Sequence, residues 1–299
     1  MRHQSKAKRA PAENPALPPA VARSASRNAD IPRTRYKARI ELPIEDGCVF
    51  LVSDEHYDPQ ETEPSPAHRA AVKLALKMKP WAIVNNGDTI DAACISRWPV
   101  GSYSELGERP GVNEELEAAR LRLQDFERLP SPKWLTWNLG NHDARYETKL
   151  ADTVPQYAGV PGFTLKEHFP DWAAAWRTDF VPVGGGKPEL IIKHRFKGGM
   201  YSAANNSLWA GTSIATGHDH ALWAKAITDV NGIRWGIDAG TLAPVNSRLF
   251  VNYTEDNIVN WQSGFVILHF ENDKFTGPEL VYATSDGKAL FRGKDVLAS

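Results

Sequence analysis

The order of apolar runs along the chain predicts an α/β fold: a four-layer αββα sandwich of two mixed β-sheets packed face to face and flanked by helices. Three observations carry this. The first half alternates short apolar strand-like runs with amphipathic helical stretches. The last third turns to paired, hairpin-like strands. Five loops rich in Asp, Asn and His each follow a predicted strand.

The first strand is predicted at Cys48–Val52, an unbroken apolar run with β-branched and aromatic residues, as expected of a strand buried on both faces. A helix follows from about Pro66, where proline suits the first turn. Its face is Ala67, Ala71, Leu74 and Met78, at i, i+4, i+7 and i+11. Trp81–Val84 is the second strand, and the strand–helix–strand order makes the two parallel. Residues 92–111 read as irregular. Asn113 is then expected to cap a helix running to about Leu129 on a face of Leu116, Ala119, Leu123 and Phe126. Trp134–Leu139 is the third strand. Strands near 180–183 and 190–194, a helix near 199–210 and a strand near 213–216 follow. Ala224–Val230 and Ile233–Ile237 flank Asn231-Gly232, which predicts a hairpin with a type I′ turn. Gly264–Phe270 and Glu279–Ala283 read as a second hairpin, and the residues beyond as a polar end.

The domain is expected over 41–299, behind a disordered basic tail at 1–40. With 42% hydrophobic and 24% charged residues among 299, the chain has the composition of an ordinary globular protein and is not collagenous or wholly disordered. No run approaches the ~18 apolar residues of a membrane-spanning helix, so no membrane partner is expected. The net charge of −1 hides an asymmetry: residues 1–40 carry ten basic and two acidic groups, and the rest carry 25 basic and 34 acidic ones. Five prolines in the tail (Pro11, Pro15, Pro18, Pro19, Pro32) break any amphipathic targeting helix. Cys48 and Cys94 form no CxxC pair, which points to a reducing, cytoplasmic location.

The five loops are Asp54-Glu55-His56, Gly87-Asp88-Thr89-Ile90-Asp91, Gly140-Asn141-His142-Asp143, Lys193-His194-Arg195 and Gly217-His218-Asp219-His220. Ligands gather at the carboxyl ends of strands in α/β sheets, so the five converge. Carboxylates and imidazoles without thiolates suit divalent metals rather than a structural zinc finger. On an extended segment, period-two alternation puts Asp54 and His56 on one side, and likewise His218 and His220. Glu55 and Asp219 then point away, to solvent. The glycines before Asp88, Asn141 and His218 are expected to permit tight turns, and Asp143 to cap or orient its loop.

In order, the loops read D-x-H, G-D-x-x-D, G-N-H-D, a lone His and G-H-x-H. The sequence therefore resembles the calcineurin-like metallophosphoesterase superfamily, over roughly residues 45–283. That resemblance implies the αββα fold and a phosphoester hydrolase with two divalent metal ions, manganese first, with iron, zinc or nickel as alternatives. It implies Asp54, His56 and His220 as ligands of one metal, Asp88 as a bridging carboxylate, and Asn141, His194 and His218 as ligands of the other. Arg195 stands where the family usually has glycine after the lone histidine. His168 has no strand before it and, like His3, His68 and His269, reads as a surface or packing residue. His142 matches the residue that faces the scissile bond as general acid, and Asp91 the acid that orients it. The chemistry is consistent: paired metals clamp a phosphoryl group and lower the pKa of water, so a hydroxide nucleophile exists near neutral pH. A histidine held by a carboxylate can protonate the leaving alkoxide.

The substrate is less legible. Ala92-Ala93 after Asp91, and Asp143 in place of Glu, weigh against a protein phosphatase. Arg97, Arg145 and Arg195 are candidates to hold a substrate phosphate. A phosphodiester, in nucleic acid or a nucleotide, is the leading expectation, and the tail at 1–40 could hold nucleic acid as a partner. The alternatives are a phosphomonoesterase on a small substrate and a catalytically silent metal-binding scaffold. Ser96-Arg97-Trp98-Pro99 and Asn260-Trp261-Gln262-Ser263-Gly264-Phe265 resemble the phage and prophage subset of the superfamily, which implies a host-cell cytoplasm.

Overall fold

The chain enters the fold at β1 (Ile40–Pro43) and β2 (Gly47–Val52). The computed structural model describes residues 36–96, 110–157, 159–247, 250, 251, 254, 257 and 259–298. Along β2, Phe50 and Val52 face one core while Val49 and Leu51 face another, so the strand is buried on both sides as its composition predicts. Next come α1 (Pro66–Met78), β3 (Ala82–Asn85), α2 (Val112–Glu127), β4 (Trp134–Asn138) and α3 (Asn141–Thr153). A single helical turn, α4 (Leu165–His168), leads to β5 (Ala173–Ala175), β6 (Thr178–Val181) and β7 (Leu190–Lys193). Helix α5 (Ser202–Ala210) and β8 (Ser213–Thr216) precede two hairpins, β9 (Leu222–Asp229) with β10 (Gly232–Ala239) and β11 (Gly264–Glu271) with β12 (Lys274–Ala283). The expected polar end instead forms β13 (Ala289–Phe291) and β14 (Lys294–Asp295), which extend the sheet edge.

The strands make two mixed sheets, one of six in the order β1-β6-β7-β8-β10-β9 and one of eight in the order β14-β13-β12-β11-β2-β3-β4-β5. Within the larger sheet β2, β3, β4 and β5 run parallel, and β11 joins β2 antiparallel. The core between the sheets holds Leu51, Val84, Phe180, Ile192, Ile237 and Leu268. The other core packs α1 and α2 against the outer face of the larger sheet, through Leu74, Leu123 and Phe126 on Phe50, Ile83 and Ile267. On the far side α5 lies so close to β10 that a Cβ at Gly236 would meet the Ala203 carbonyl oxygen at 1.7 Å. The molecule is the four-layer αββα sandwich expected from the strand and helix order.

Two local expectations fail. Helix α2 is capped at Gly111, whose N–H donates to Glu114 Oε2 at 2.7 Å, and Asn113 sits inside the first turn. The β9–β10 loop is Val230-Asn231, one residue earlier than the Asn-Gly signal. There the Asp229 carboxylate accepts from Asn231 N at 2.8 Å, and only Gly232 takes positive φ, at 102°. A type I′ turn needs positive φ at both central residues. That geometry occurs instead at Asn272 (52°) and Asp273 (63°), between β11 and β12.

The tail expected at 1–40 lies outside the described residues as far as Arg35, and so does Arg97. Lys37 already bridges Ala175 and Ile40 opens β1, so the sheet begins ahead of the expected boundary at 41. Among the described residues no helix is long and apolar enough to cross a membrane.

Candidate metal centre

Each ligand-bearing loop leaves the end of a strand: Asp54 and His56 after β2, Asp88 after β3, Asn141 and His142 after β4, His194 after β7, and His218 and His220 after β8. The two sheets therefore both contribute. Asp54, His56 and His220 come together with one ligand atom apiece within 4.8 Å of the others, and Asp88, His194 and His218 do the same. His220 Nε2 lies 3.1 Å from Asp54 Oδ1, and His194 Nε2 3.1 Å from Asp88 Oδ2. His56 also belongs to a third group, with Asp91 and His142.

The backbone here is not extended. Asp54, His56, Asp88, His218 and His220 have φ of 53°, 41°, 54°, 74° and 54°. Side-chain alternation therefore does not govern the motifs: His218 joins Asp88 and His194, while His220 joins Asp54 and His56. For the same reason Glu55 is not turned to solvent. It is 1% exposed, neither carboxylate oxygen is hydrogen-bonded, and burial pushes its carboxyl well above the usual range. Asp219 is half-buried and accepts from Gly199 N at 3.2 Å.

The glycines also act differently from expectation. Only Gly87 takes positive φ, at 89°. At Gly140 a Cβ would sit 2.1 Å from Asp88 Oδ1, and at Gly217 it would sit 2.2 Å from Ser53 Oγ and 2.5 Å from Asp54 Oδ2. Those two are glycine because the carboxylates press on them.

Asp143 does orient its loop, as expected. Fully buried, it accepts from the backbone N–H groups of Asp88, Thr89 and Gly140, each at 2.9 Å, and from Trp137 Nε1 at 3.0 Å. Asp88 in turn accepts from His142 N at 2.8 Å, and Asp54 from His218 N at 3.0 Å. His194 Nδ1 lies 2.6 Å from the Asn86 carbonyl, which can only accept, so Nδ1 donates and the Nε2 lone pair is turned toward Asp88.

His142 Nδ1 lies 2.7 Å from Asp91 Oδ1 and 2.9 Å from the Asp91 carbonyl, leaving Nε2 3.9 Å from Asp88 Oδ2. Burial alone would lower this imidazole's pKa, but the Asp91 hydrogen bond and the Asp88 and Asp91 charges raise it to about 9. Against its own burial, Asp91 is held well below the usual carboxylate range by His142 and His56. Arg145 Nη1 donates to the Asp91 carbonyl at 2.8 Å, pinning the loop beside His142. Arg195 is exposed. His68, His168 and His269 lie outside these groups: His68 is buried between Tyr57 and Asp125, His168 faces the Gly162 carbonyl, and His269 pairs with Glu279.

Sequence reasoning missed two aromatic walls. Phe250 stacks on His220 at 5.0 Å between ring centroids and meets His56 edge-on at 5.4 Å, and Trp261 meets His220 edge-on at 4.5 Å. Neither residue sits in a periodic segment; Trp261 lies within the stretch at 260–265 that resembles the phage subset, but nothing local placed it against His220.

Both nitrogens of His56, Asn141 Oδ1, His194 Nε2 and His220 Nδ1 are buried without a hydrogen-bond partner. Buried polar atoms are normally satisfied, and leaving one bare costs about 1–3 kcal/mol. Five such atoms on residues of a carboxylate and imidazole set fit divalent cations.

No protein-family profile and no curated protein sequence matches the chain. Among solved structures it is similar to vacuolar protein sorting 29 from Cryptosporidium parvum, at 14% identity and a TM-score of 0.43, over 84% of this chain and 98% of that one. Vps29 from Entamoeba histolytica, complexed with zinc, shares 12% identity at a TM-score of 0.42 over 83% of this chain and 99% of that one. The phosphoesterase Yfce from E. coli shares 11% at 0.35, over 77% and 97%. Similarity this distant argues no function.

Proposed function

We propose that the chain is a two-metal phosphoester hydrolase acting on a phosphodiester. The observation that carries this is the pair of ligand clusters with bare, buried ligand atoms, set beside a histidine–carboxylate pair. Asp54, His56 and His220 would hold one cation, and Asp88, Asn141, His194 and His218 the other, manganese being the first candidate. Such cations, when bound, neutralise developing charge on a phosphoryl group and make water a nucleophile near neutral pH.

The chain's own residues do the rest. His142 donates through Nδ1 to Asp91, which fixes the ring and stabilises its charged form. Nε2 then carries the proton that a leaving alkoxide needs. When it is given up, the neutral ring keeps its Nδ1–H on Asp91. Phe250 and Trp261 pack their rings against His220 and help hold it in place. Arg195, exposed one residue beyond His194, would be the cation to meet a substrate phosphate.

The test is nitrophenol release from bis-p-nitrophenyl phosphate and p-nitrophenyl phosphate, with Mn²⁺ and with EDTA. The expected result is Mn²⁺-dependent turnover that favours the diester and disappears in EDTA. Preference for the monoester would transfer the reading to a phosphomonoesterase. No turnover with Mn²⁺, Fe²⁺, Zn²⁺ or Ni²⁺ would make the centre a silent scaffold.

A further inference from the structure

A strip of exposed rings and positive charges begins one residue beyond His194 and runs onto α5. Arg195, Phe196, Lys197 and Tyr201 are exposed in the connection from β7 to α5, and Trp209, near the end of α5, is 70% exposed. Exposed aromatic residues leave apolar area in water, and a contiguous group of them usually marks a binding surface.

The strip is built in place. Gly199 N donates to Asp219, the residue between His218 and His220, at 3.2 Å. Asn206 Nδ2, from the buried side of α5, donates to the Lys197 carbonyl at 3.0 Å and to Thr216 Oγ1, at the end of β8, at 3.3 Å. Ser202 Oγ fastens the start of the helix to the buried Asp238 at 2.6 Å. Lys197 Nζ stands 3.1 Å from the centroid of the Trp209 ring. The loop carrying the rings and charges is thus tied to the same segment that carries His218 and His220.

The chemistry selects the occupant. A wholly apolar protein partner would desolvate Arg195 and Lys197 without a counter-charge, which is unfavourable. Duplex nucleic acid offers phosphates but hides its base faces. A single strand offers both, phosphates for the cations and unstacked bases for the rings. We propose that this strip binds single-stranded nucleic acid and leads it to the metal centre, so that the phosphodiester cleaved belongs to a single strand. This rests on the phosphoesterase reading above.

The test uses the full chain loaded with Mn²⁺ and a fluorescein-labelled oligothymidylate with phosphorothioate linkages, read by anisotropy. Trp209→Ala and Tyr201→Ala should each weaken binding by about fivefold or more. Replacing Arg195 and Lys197 together by Ala should reduce the salt slope by about 1.4. A duplex of equal length should be insensitive to both ring variants. Circular dichroism checks each fold, and Trp209→Ala, the more exposed position, carries the test should Tyr201→Ala misfold. No binding by the wild type, wild-type affinity in the ring variants, or equal losses for duplex would each overturn the proposal. So would ring variants that bind normally but change the sedimentation coefficient, which would make the strip a contact between copies. Hydrolysis of bis-p-nitrophenyl phosphate by the wild type keeps the two readings apart. Turnover with ring-insensitive binding removes the strip alone, and ring-dependent binding without turnover removes the phosphoesterase alone.

Discussion

Left-handed backbone recurs in this molecule, and what holds it differs between the β11–β12 hairpin and the metal centre. In the β11–β12 hairpin, Asn272 and Asp273 adopt it because a type I′ turn demands it, and their residue types tolerate it. At the metal centre, Asp54, His56, Asp88, His218 and His220 adopt it with φ between 41° and 74°. Glycine would take these angles freely but has no ligand to offer. Each such non-glycine residue costs about 1–3 kcal/mol unless its surroundings impose it. The surroundings do: Asp54 N donates to the Gly87 carbonyl at 2.8 Å, His56 N to the Asp88 carbonyl at 3.0 Å, and Asp88 N to Asp143 at 2.9 Å. The hairpin's two residues are of types that tolerate these angles and are steadied by Glu45 and Asp46, whereas the centre's histidines and aspartates are held against preference by the neighbouring ligand loops. Hydrogen bonds between the ligand loops keep the centre in that strained backbone.

The largest effect expected from this difference is on turnover. Asp88→Asn keeps the side-chain shape and a residue type that tolerates left-handed backbone, but removes the charge. Activity on the diester should fall by at least about 10²–10³-fold, the scale of losing one electrostatic contact to the transition state, with little change in the unfolding midpoint. Wild-type turnover with Mn²⁺ in this variant would show that the site has been misassigned.

Gly140→Ala attacks the packing that imposes the strain. Its Cβ would stand 2.3 Å from Asp88 N and 2.1 Å from Asp88 Oδ1, and backbone cannot yield cheaply. A loss of about 3 kcal/mol in denaturant unfolding is expected. Gly184, with nothing within 4 Å of a built Cβ, is the control, and its Ala variant should stay within about 0.5 kcal/mol of wild type. Equal losses at the two positions would mean that the close approach at Asp88 is not what makes position 140 a glycine.

Asp143→Asn tests the clamp with less damage. Five N–H donors converge on the carboxylate, and an amide turns its own donors against some of them. Metal affinity measured by calorimetry should drop by about 10- to 100-fold, as for other residues that orient ligands. Unchanged affinity would leave Asp143 a purely structural cap for α3.

The same contrast explains what the sequence could reveal. Strand cores such as Phe50 and Val52 and the residue types at five strand ends are local facts; they led to the right layers and to Asp54, His56, Asp88, His194, His218 and His220, which the fold clusters. Helix α3 escaped because Asp143 is its buried residue, so it has no apolar face to produce a period. Strand β5 escaped because Ala173–Ala175 carries no β-branched side chain. Side-chain directions at Glu55, His218 and His220 came out wrong because the left-handed angles there are imposed from elsewhere in the chain. The Asn-Gly signal at 231–232 failed for a smaller reason of the same kind: Asp229 captures Asn231 N and moves the turn back by one residue.

The smallest expected effect lies at the hairpin, where the comparison is sharpest. Asn272→Ala places a Cβ-bearing residue without a polar side chain at φ 52°. Asn272 N donates to Asp46 Oδ1 at 2.8 Å and Asp273 N to the Glu45 carbonyl at 3.0 Å, and both donors are backbone N–H groups, so the substitution leaves them in place. What changes is the intrinsic preference for left-handed backbone, worth about 1 kcal/mol. The urea midpoint should move by that amount, with metal affinity unaltered. Asn272→Gly should lie close to wild type, because easier left-handed backbone is offset by a more flexible unfolded chain. If either variant weakened metal binding, the hairpin and the centre would be coupled, and the strain at Asp54 and His56 would have to be traced through β11 to its neighbour β2 rather than to the contacts around Asp88.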